Sequence, residues 1–205
     1  MKSVCLFSCS TWYVKGKKIA FGFTLFGLIL FSAVVQAQQF RIPANKNPQF
    51  NSFLNPANNP DINPNFNPDR HPQFNSKMNM VFTPEINPVF NPSINPFFRS
   101  ELNPLYNKEL DPGYNFDLNP AFSLTGMVYN LNAEPAALLV DAWPGEVIIE
   151  YDLNGTWTGF WVSNSKGGFN FFDTASEFKG ISMWPNGQGG FNVFDDENVW
   201  LGFAW

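Results

Sequence analysis

The chain holds one histidine, His71, and lacks a nucleophile elbow, a phosphate loop or a paired His/Glu metal motif. A general base needs an organised partner. His71 stands where neighbouring units of a repeat carry Asn, so it reads as a turn residue. Oxygen donors are better placed. Asp152-Leu153-Asn154 and Asp195-Asp196-Glu197-Asn198 bring hard ligands into short turns. Asp152, Asn154, Asp195 and Glu197 are therefore the candidate cation ligands, and calcium is the ion that suits them. The full calcium-loop pattern is absent, and solvated turn acids are the plainer alternative. A second candidate set is aromatic. Trp157, Trp161, Trp184 and Trp200 recur on expected hairpins, where indole rings can stack on sugars; core packing is the competing use. No catalytic residue and no obligatory cofactor are expected, and the chain reads as a non-enzyme.

The elements that carry these residues begin after an N-terminal export signal. Lys15, Lys17 and Lys18 precede an uncharged, mostly apolar run, Ile19 to Val35. Val35-Gln36-Ala37 fits a small-residue cleavage site, giving a signal peptide over 1–37 and Gln38 as the mature N-terminus. Seventeen residues is short for a bilayer span. Membrane contact is expected only through this segment, if it stays uncleaved. Both cysteines, Cys5 and Cys9, precede the run. The exported part would have neither disulfides nor Cys-based metal sites, which suits a bacterial envelope protein. The expected location is secreted, periplasmic or at the cell surface.

After residue 37 there are eight basic residues against seventeen acidic ones, a net charge of −9. Nucleic acid is excluded as an expected partner, because phosphate binding needs clustered Lys and Arg. A protein or polysaccharide at the cell surface is the compatible partner.

Following a short linker at 38–46, residues 47–122 form 19 gapless tetrapeptides of consensus Asn-Pro-x-Φ, Φ being apolar or aromatic. Asn holds the first position in 15 units, Pro the second in 13, and Φ the fourth in 17. Proline at this spacing forbids an α-helix and spoils a central strand. Asn followed by Pro opens a turn, so each unit reads as one turn closed by Φ. Two states fit: a proline-punctuated spacer, or a spiral of stacked turns burying one Φ column. The guarded Φ beside a variable x favours the spiral. Ser52, Ser76, Met80, Ser100, Lys108 and Phe116 replace Pro, and Asn75 to Met80 reads as a joint.

From 124 to 205 proline thins and β-formers dominate. Tyr151-Asp152, Phe172-Asp173 and Phe194-Asp195 each precede an aromatic, then Gly159, Gly180 or Gly202, then Trp161, Trp184 or Trp205. A fainter copy begins at Tyr129-Asn130, so the period is about 22 residues. Asp152-Leu153-Asn154-Gly155 lies between two β-type runs and predicts a hairpin. The expected fold is mainly β: a turn-rich tetrapeptide-repeat tract followed by a small all-β domain of about four β-hairpin repeats. The repeated Asp, the later Gly and the fourfold count resemble the bacterial four-fold β-flower domain over roughly 125–205. That resemblance implies no catalytic residues. The aromatic C-terminus also resembles the last strand of outer-membrane barrels, but the runs of five to eight residues fall short of the 9–11 that membrane strands need. The sequence thus predicts an exported structural or adhesive repeat protein of the cell envelope, with a carbohydrate-binding module on a repeat spacer as the alternative.

Overall fold

The computed structural model describes residues 42–71, 75–118 and 126–205. The expected signal segment lies outside them. The described residues belong to one compact unit.

The C-terminal part is mainly β. Eight strands run in order: β1 (Gly126–Asn130), β2 (Pro135–Trp143), β3 (Val147–Tyr151), β4 (Trp157–Ser163), β5 (Phe169–Asp173), β6 (Phe178–Pro185), β7 (Phe191–Phe194) and β8 (Trp200–Ala204). Each pairs antiparallel with the next, and β1 pairs with β8 through Val128–Ala204 and Tyr129–Phe203. The sheet closes into a barrel, which removes both free edges. Closure itself was not part of the hairpin expectation.

Four turns at one end share a single design. The Oδ1 of Asn130, Asp152, Asp173 and Asp195 accepts the backbone N–H groups two and four residues on. The fourth residue of each turn has positive φ: Ala133, Gly155, Ser176 and Asn198, from 60° to 82°. Only Gly155 takes this conformation without steric cost. The turn shape nevertheless survives where Ser176 and Asn198 stand in place of Gly. Asn164 and Asn186 organise two turns at the opposite end in the same way.

Glycine is required where strands crowd. A Cβ at Gly159 would overlap the Phe172 carbonyl oxygen, and one at Gly202 the Tyr129 carbonyl oxygen. Gly180 instead sits at a positive φ of 71°.

Side chains alternate between the barrel lumen and its outer surface. Leu139, Ile148, Trp161, Phe169, Met183, Val193 and Ala204 form the lumen cluster. Phe169 and Phe191 meet edge to face at 5.6 Å although β6 separates their strands, as expected on a concave wall. Ile149, Phe160, Phe172 and Phe203 point outward, yet all are buried. The tract covers them: Ile94, Leu102 and Leu110 belong to the same apolar cluster.

The tract is built from one-turn segments, but its structural period is eight residues. Odd units such as Asn47–Phe50 and Asn87–Phe90 are turns closed by bonds from Phe50 N–H and Phe90 N–H to the Asn carbonyls. A further bond, Asn51 N–H to Asn47 O or Asn91 N–H to Asn87 O, extends the turn by one residue. Even units such as Pro60–Ile62 and Pro92–Ile94 are short 3-10 turns. Throughout, the Asn Oδ1 accepts the N–H two residues on, for example Asn59 from Asp61 and Asn95 from Phe97. Even-unit Asn side chains also tie one octad to the last. Asn59 Nδ2 donates to Phe53 O, Asn91 to Glu85 O and Asn107 to Glu101 O.

The two halves of each octad face opposite ways. Even-unit Φ residues Leu54, Ile62, Met78, Ile86, Ile94, Leu102 and Leu110 are buried, whereas odd-unit Phe50, Phe66, Phe82, Phe90, Phe98, Tyr106 and Tyr114 are exposed. A single buried Φ column is thus replaced by an inner aliphatic column and an outer aromatic one. The same alternation explains the lost prolines. Pro48, Pro56, Pro64, Pro88, Pro96, Pro104 and Pro112 of the odd units are buried, while second positions of even units face solvent. Ser52, Ser76, Ser100, Lys108 and Phe116 all occupy the exposed kind; Met80, the one odd-unit replacement, is apolar and half-buried.

Contacts follow the outer surface of the barrel against strand order. Leu54 O accepts from Asn192 Nδ2 on β7 at 3.1 Å. Met78 packs on Trp184 and Phe194 of β6 and β7. Asn95 Nδ2 donates to Ser176 Oγ in the β5–β6 turn at 3.0 Å. Leu110 O accepts from the Tyr151 hydroxyl of β3 at 2.6 Å.

Candidate functional site on the outer face of the tract

The inner aliphatic column anchors each octad, so the outer residues are presented in fixed register. Besides the aromatic column, the third position of even units faces out. There Asp61, Asp69, Glu85, Glu101, Glu109 and Asp117 occupy six of nine octads. Each carboxylate lies three residues after an odd-unit Φ position. A four-residue reading hides this, because it pools these acids with Gln49, Val81, Val89 and Leu105 from odd units and makes x look free. The signal that separates them is the alternation of aromatic and aliphatic Φ.

Two cations of the tract already sit against a ring and a carboxylate, one ring being Tyr114 of the tract and the other Trp143 of β2. Lys108 Nζ lies 4.2 Å from the Tyr114 ring centroid and 3.8 Å from Asp111 Oδ2. The Arg99 guanidinium lies 5.1 Å from the Trp143 ring, with Nη2 3.5 Å from Glu101 Oε1. In both cases a ring face and a carboxylate share one cation.

The residues singled out from sequence are dispersed. Asp152 and Asn154 belong to the β3–β4 turn, and Asp195 and Glu197 to the β7–β8 turn. The Oδ1 atoms of both Asp residues already serve their own turns. The Thr156 and Asn154 amides hold the Asp152 carboxyl below its ordinary range. Among the described residues, no three His, Cys, Asp or Glu side chains converge enough to hold a metal ion. The geometry thus supplies a turn role for these acids and no assembled calcium shell.

The four Trp residues do not form one face. Trp161 and Trp184 are 2% exposed, so neither offers a ring to a ligand. Trp161 lies in the lumen, where its Nε1 donates to Glu150 Oε2 at 2.8 Å. Trp157 stacks on Phe97 at 5.2 Å and donates Nε1 to Gly159 O. Trp200 makes the equivalent bond to Gly202 O. His71 sits 3.0 Å from Asn198 Nδ2, which ties the tract to the β7–β8 turn.

Two cavities accompany these surfaces. One, of about 530 Å³, opens at the lumen mouth between Leu139, Ile148, Phe191 and Trp205, with Asp141 at its edge. Burial pushes the Asp141 carboxyl up. Glu150, also in the lumen, is pushed up by burial against the opposing bonds from Trp161 and Thr158. The other, of about 400 Å³, lies between Met78, Met80 and Val81 of the tract and Trp184, Phe194 and Asn198 of the barrel. It marks the stretch where Met80 and Thr83 replace the repeat's Pro and Asn. Comparison with protein-family models, curated proteins and solved structures finds no match to this chain.

Proposed function

We propose that this chain is an exported, non-enzymatic structural or adhesive repeat protein of the cell envelope. The observation that carries this reading is the row of solvent-facing Phe and Tyr rings, of which Phe82, Phe90, Phe98, Tyr106 and Tyr114 follow at eight-residue intervals. Monomeric proteins rarely expose contiguous apolar patches beyond a few hundred Å². Here the barrel provides the rigid support, and the tract coats it while displaying the rings. The acidic balance and the absence of cysteine after residue 9 accord with export without disulfides. The fourfold Asx-turn repeat supports kinship with the four-fold β-flower domain as part of the same proposal.

Retention on isolated bacterial envelope tests this directly. The full chain is expected to co-sediment with envelope, and a Phe82→Ser/Phe90→Ser/Phe98→Ser variant to stay in the supernatant. Equal retention of both proteins would defeat the reading. Mass spectrometry of the exported form is expected to give Gln38 as its first residue.

Carbohydrate binding is the second reading, and the exposed aromatic row favours it. With Trp161 and Trp184 buried, such binding falls to the tract's Phe and Tyr rings and the half-exposed Trp157 and Trp200. Retardation on neutral polysaccharide gels, lost in the triple Phe variant, is its expected signature.

A further inference from the structure

We propose that the outer face of the tract docks a cationic polypeptide, with Lys or Arg side chains lying across the aromatic column and reaching the carboxylate column beside it. This deepens the adhesive reading and rests on it. Three observations favour a basic partner. First, the exposed acids Asp61, Asp69, Glu85, Glu101, Glu109 and Asp117 keep one position of the octad. Six carboxylates against one cation, Lys77, at this position give an excess of negative charge on the face that carries the rings, and opposite charge is what complements it. Second, the chain's own Lys108 already lies over the Tyr114 ring with Asp111 beside it, and Arg99 lies over the Trp143 ring with Glu101 beside it. Each placement supplies half of the proposed mode: Tyr114 belongs to the aromatic column and Glu101 to the carboxylate column, whereas Asp111 opens an odd unit and Trp143 belongs to β2. Third, the area is sufficient. Among the described residues, seven odd-unit aromatics are 65–75% exposed. At roughly 150–250 Å² per aromatic, they offer about 700–1,200 Å², comparable with the ~800 Å² per side of a standard interface.

A neutral glycan would use the rings but has no need of a carboxylate in register. A second copy of this chain would bring a like-charged column to the interface. The conserved-register acids therefore argue against both as the primary occupant.

The probe is a synthetic 16-residue peptide of alternating Arg and Leu, titrated against the full chain by fluorescence anisotropy. An Arg/Ser peptide and a Glu/Leu peptide are run alongside. Binding of Arg/Leu is expected to exceed Arg/Ser by about tenfold, to be absent for Glu/Leu, and to weaken as salt rises. Two variants carry the argument, both at exposed positions: Phe82→Ser/Phe90→Ser/Phe98→Ser and Glu85→Gln/Glu101→Gln/Glu109→Gln. Each is expected to weaken Arg/Leu binding about tenfold or more. Loss in the Glu→Gln variant alone would mean charge attraction without docking and would overturn the proposal. Loss in the Phe→Ser variant alone, together with retention of a neutral polysaccharide, would overturn it in favour of glycan binding. Failure of the peptide with Phe-dependent self-association in sedimentation velocity would reject the basic partner and leave the adhesive reading standing. Failure of both envelope retention and peptide binding would remove the two together.

Discussion

Ile94 and Phe98 occupy the same position of adjacent tetrapeptides, yet replacing each by Ala should have very unequal consequences for stability. Ile94 is 4% exposed and belongs to the cluster that covers Phe160 and Phe172 on the barrel's outer surface. Truncating a buried Ile to Ala costs about 2–5 kcal/mol through lost transfer energy and the cavity left behind. Phe98 is 68% exposed. Its ring contributes little to the folded state, so Phe98→Ala should stay within ~0.5 kcal/mol. For a protein of this size each kcal/mol moves Tm by about 2–4 °C. Ile94→Ala should therefore lower Tm by ~4–20 °C, and Phe98→Ala by ~2 °C or less. Calorimetry or urea unfolding of the full chain measures both. If every Φ packed alike, the larger Phe would cost more, about 3–5 kcal/mol. A Phe98→Ala loss equal to or above that of Ile94→Ala would refute the eight-residue period. A neutral Ile94→Ala would refute the packing of the tract on the barrel.

The other predictions follow from the same contacts. Pro96→Ser, at a buried corner, should destabilise by ~1 kcal/mol more than Pro92→Ser at an exposed one, since both lose the same backbone restriction but only Pro96 loses burial; denaturant midpoints give the difference. Burial, with a smaller contribution from Asp111, pushes the Tyr151 phenol far above its ordinary value. The unfolded phenol ionises near pH ~10 while the folded one stays neutral, so this contribution is intact below ~10 and is lost as pH rises beyond it. Tyr151→Phe should flatten that alkaline loss and, by freeing the buried Leu110 carbonyl, cost about 1–3 kcal/mol at neutral pH; Tm against pH from 7 to 11 checks both. Glu150 has its folded pKa raised, so its favourable contribution is present below the ordinary carboxyl value near ~4.3 and is lost as pH rises. Glu150→Gln, which keeps an acceptor for Trp161 Nε1, should melt higher than the wild type at pH 7 and equal to it at pH 4.

Part of this architecture is legible in the chain itself. Proline density excludes helix in the tract for steric reasons, and Asn before Pro signals a turn that Asn63, Asn87 and Asn95 close through their own side chains. The recurring Asx residues mark Asn130, Asp152, Asp173 and Asp195 as turn organisers, because a short acceptor side chain satisfies two local amides. Runs of β-formers on either side of the Asp152 turn place strands near 147–151 and 156–162, and alternation of apolar residues places the last near 199–205. Ring closure is not local. It depends on Tyr129 meeting Phe203 across 74 residues, a register that no window of sequence contains.

The candidate site divides along the same line. Trp161 and Trp184 look in sequence just like binding tryptophans. Their removal from solvent follows from strand alternation in a closed barrel, one ring turned into the lumen and the other pressed under Met78. The tract's repeat unit shows the division most clearly. The sequence by itself specifies a turn every four residues, because each Asn and its neighbours settle that within one unit. Whether Φ points inward or outward is a tertiary matter. Successive turns differ, 3-10 against the extended odd-unit turn, so one rotates its apolar group onto the barrel and the next rotates it into solvent. Burial then selects aliphatics and prolines on the inner side, Arg70 being the exception that reaches the Pro185 carbonyl, while the outer side keeps aromatics and acids that no core contact requires.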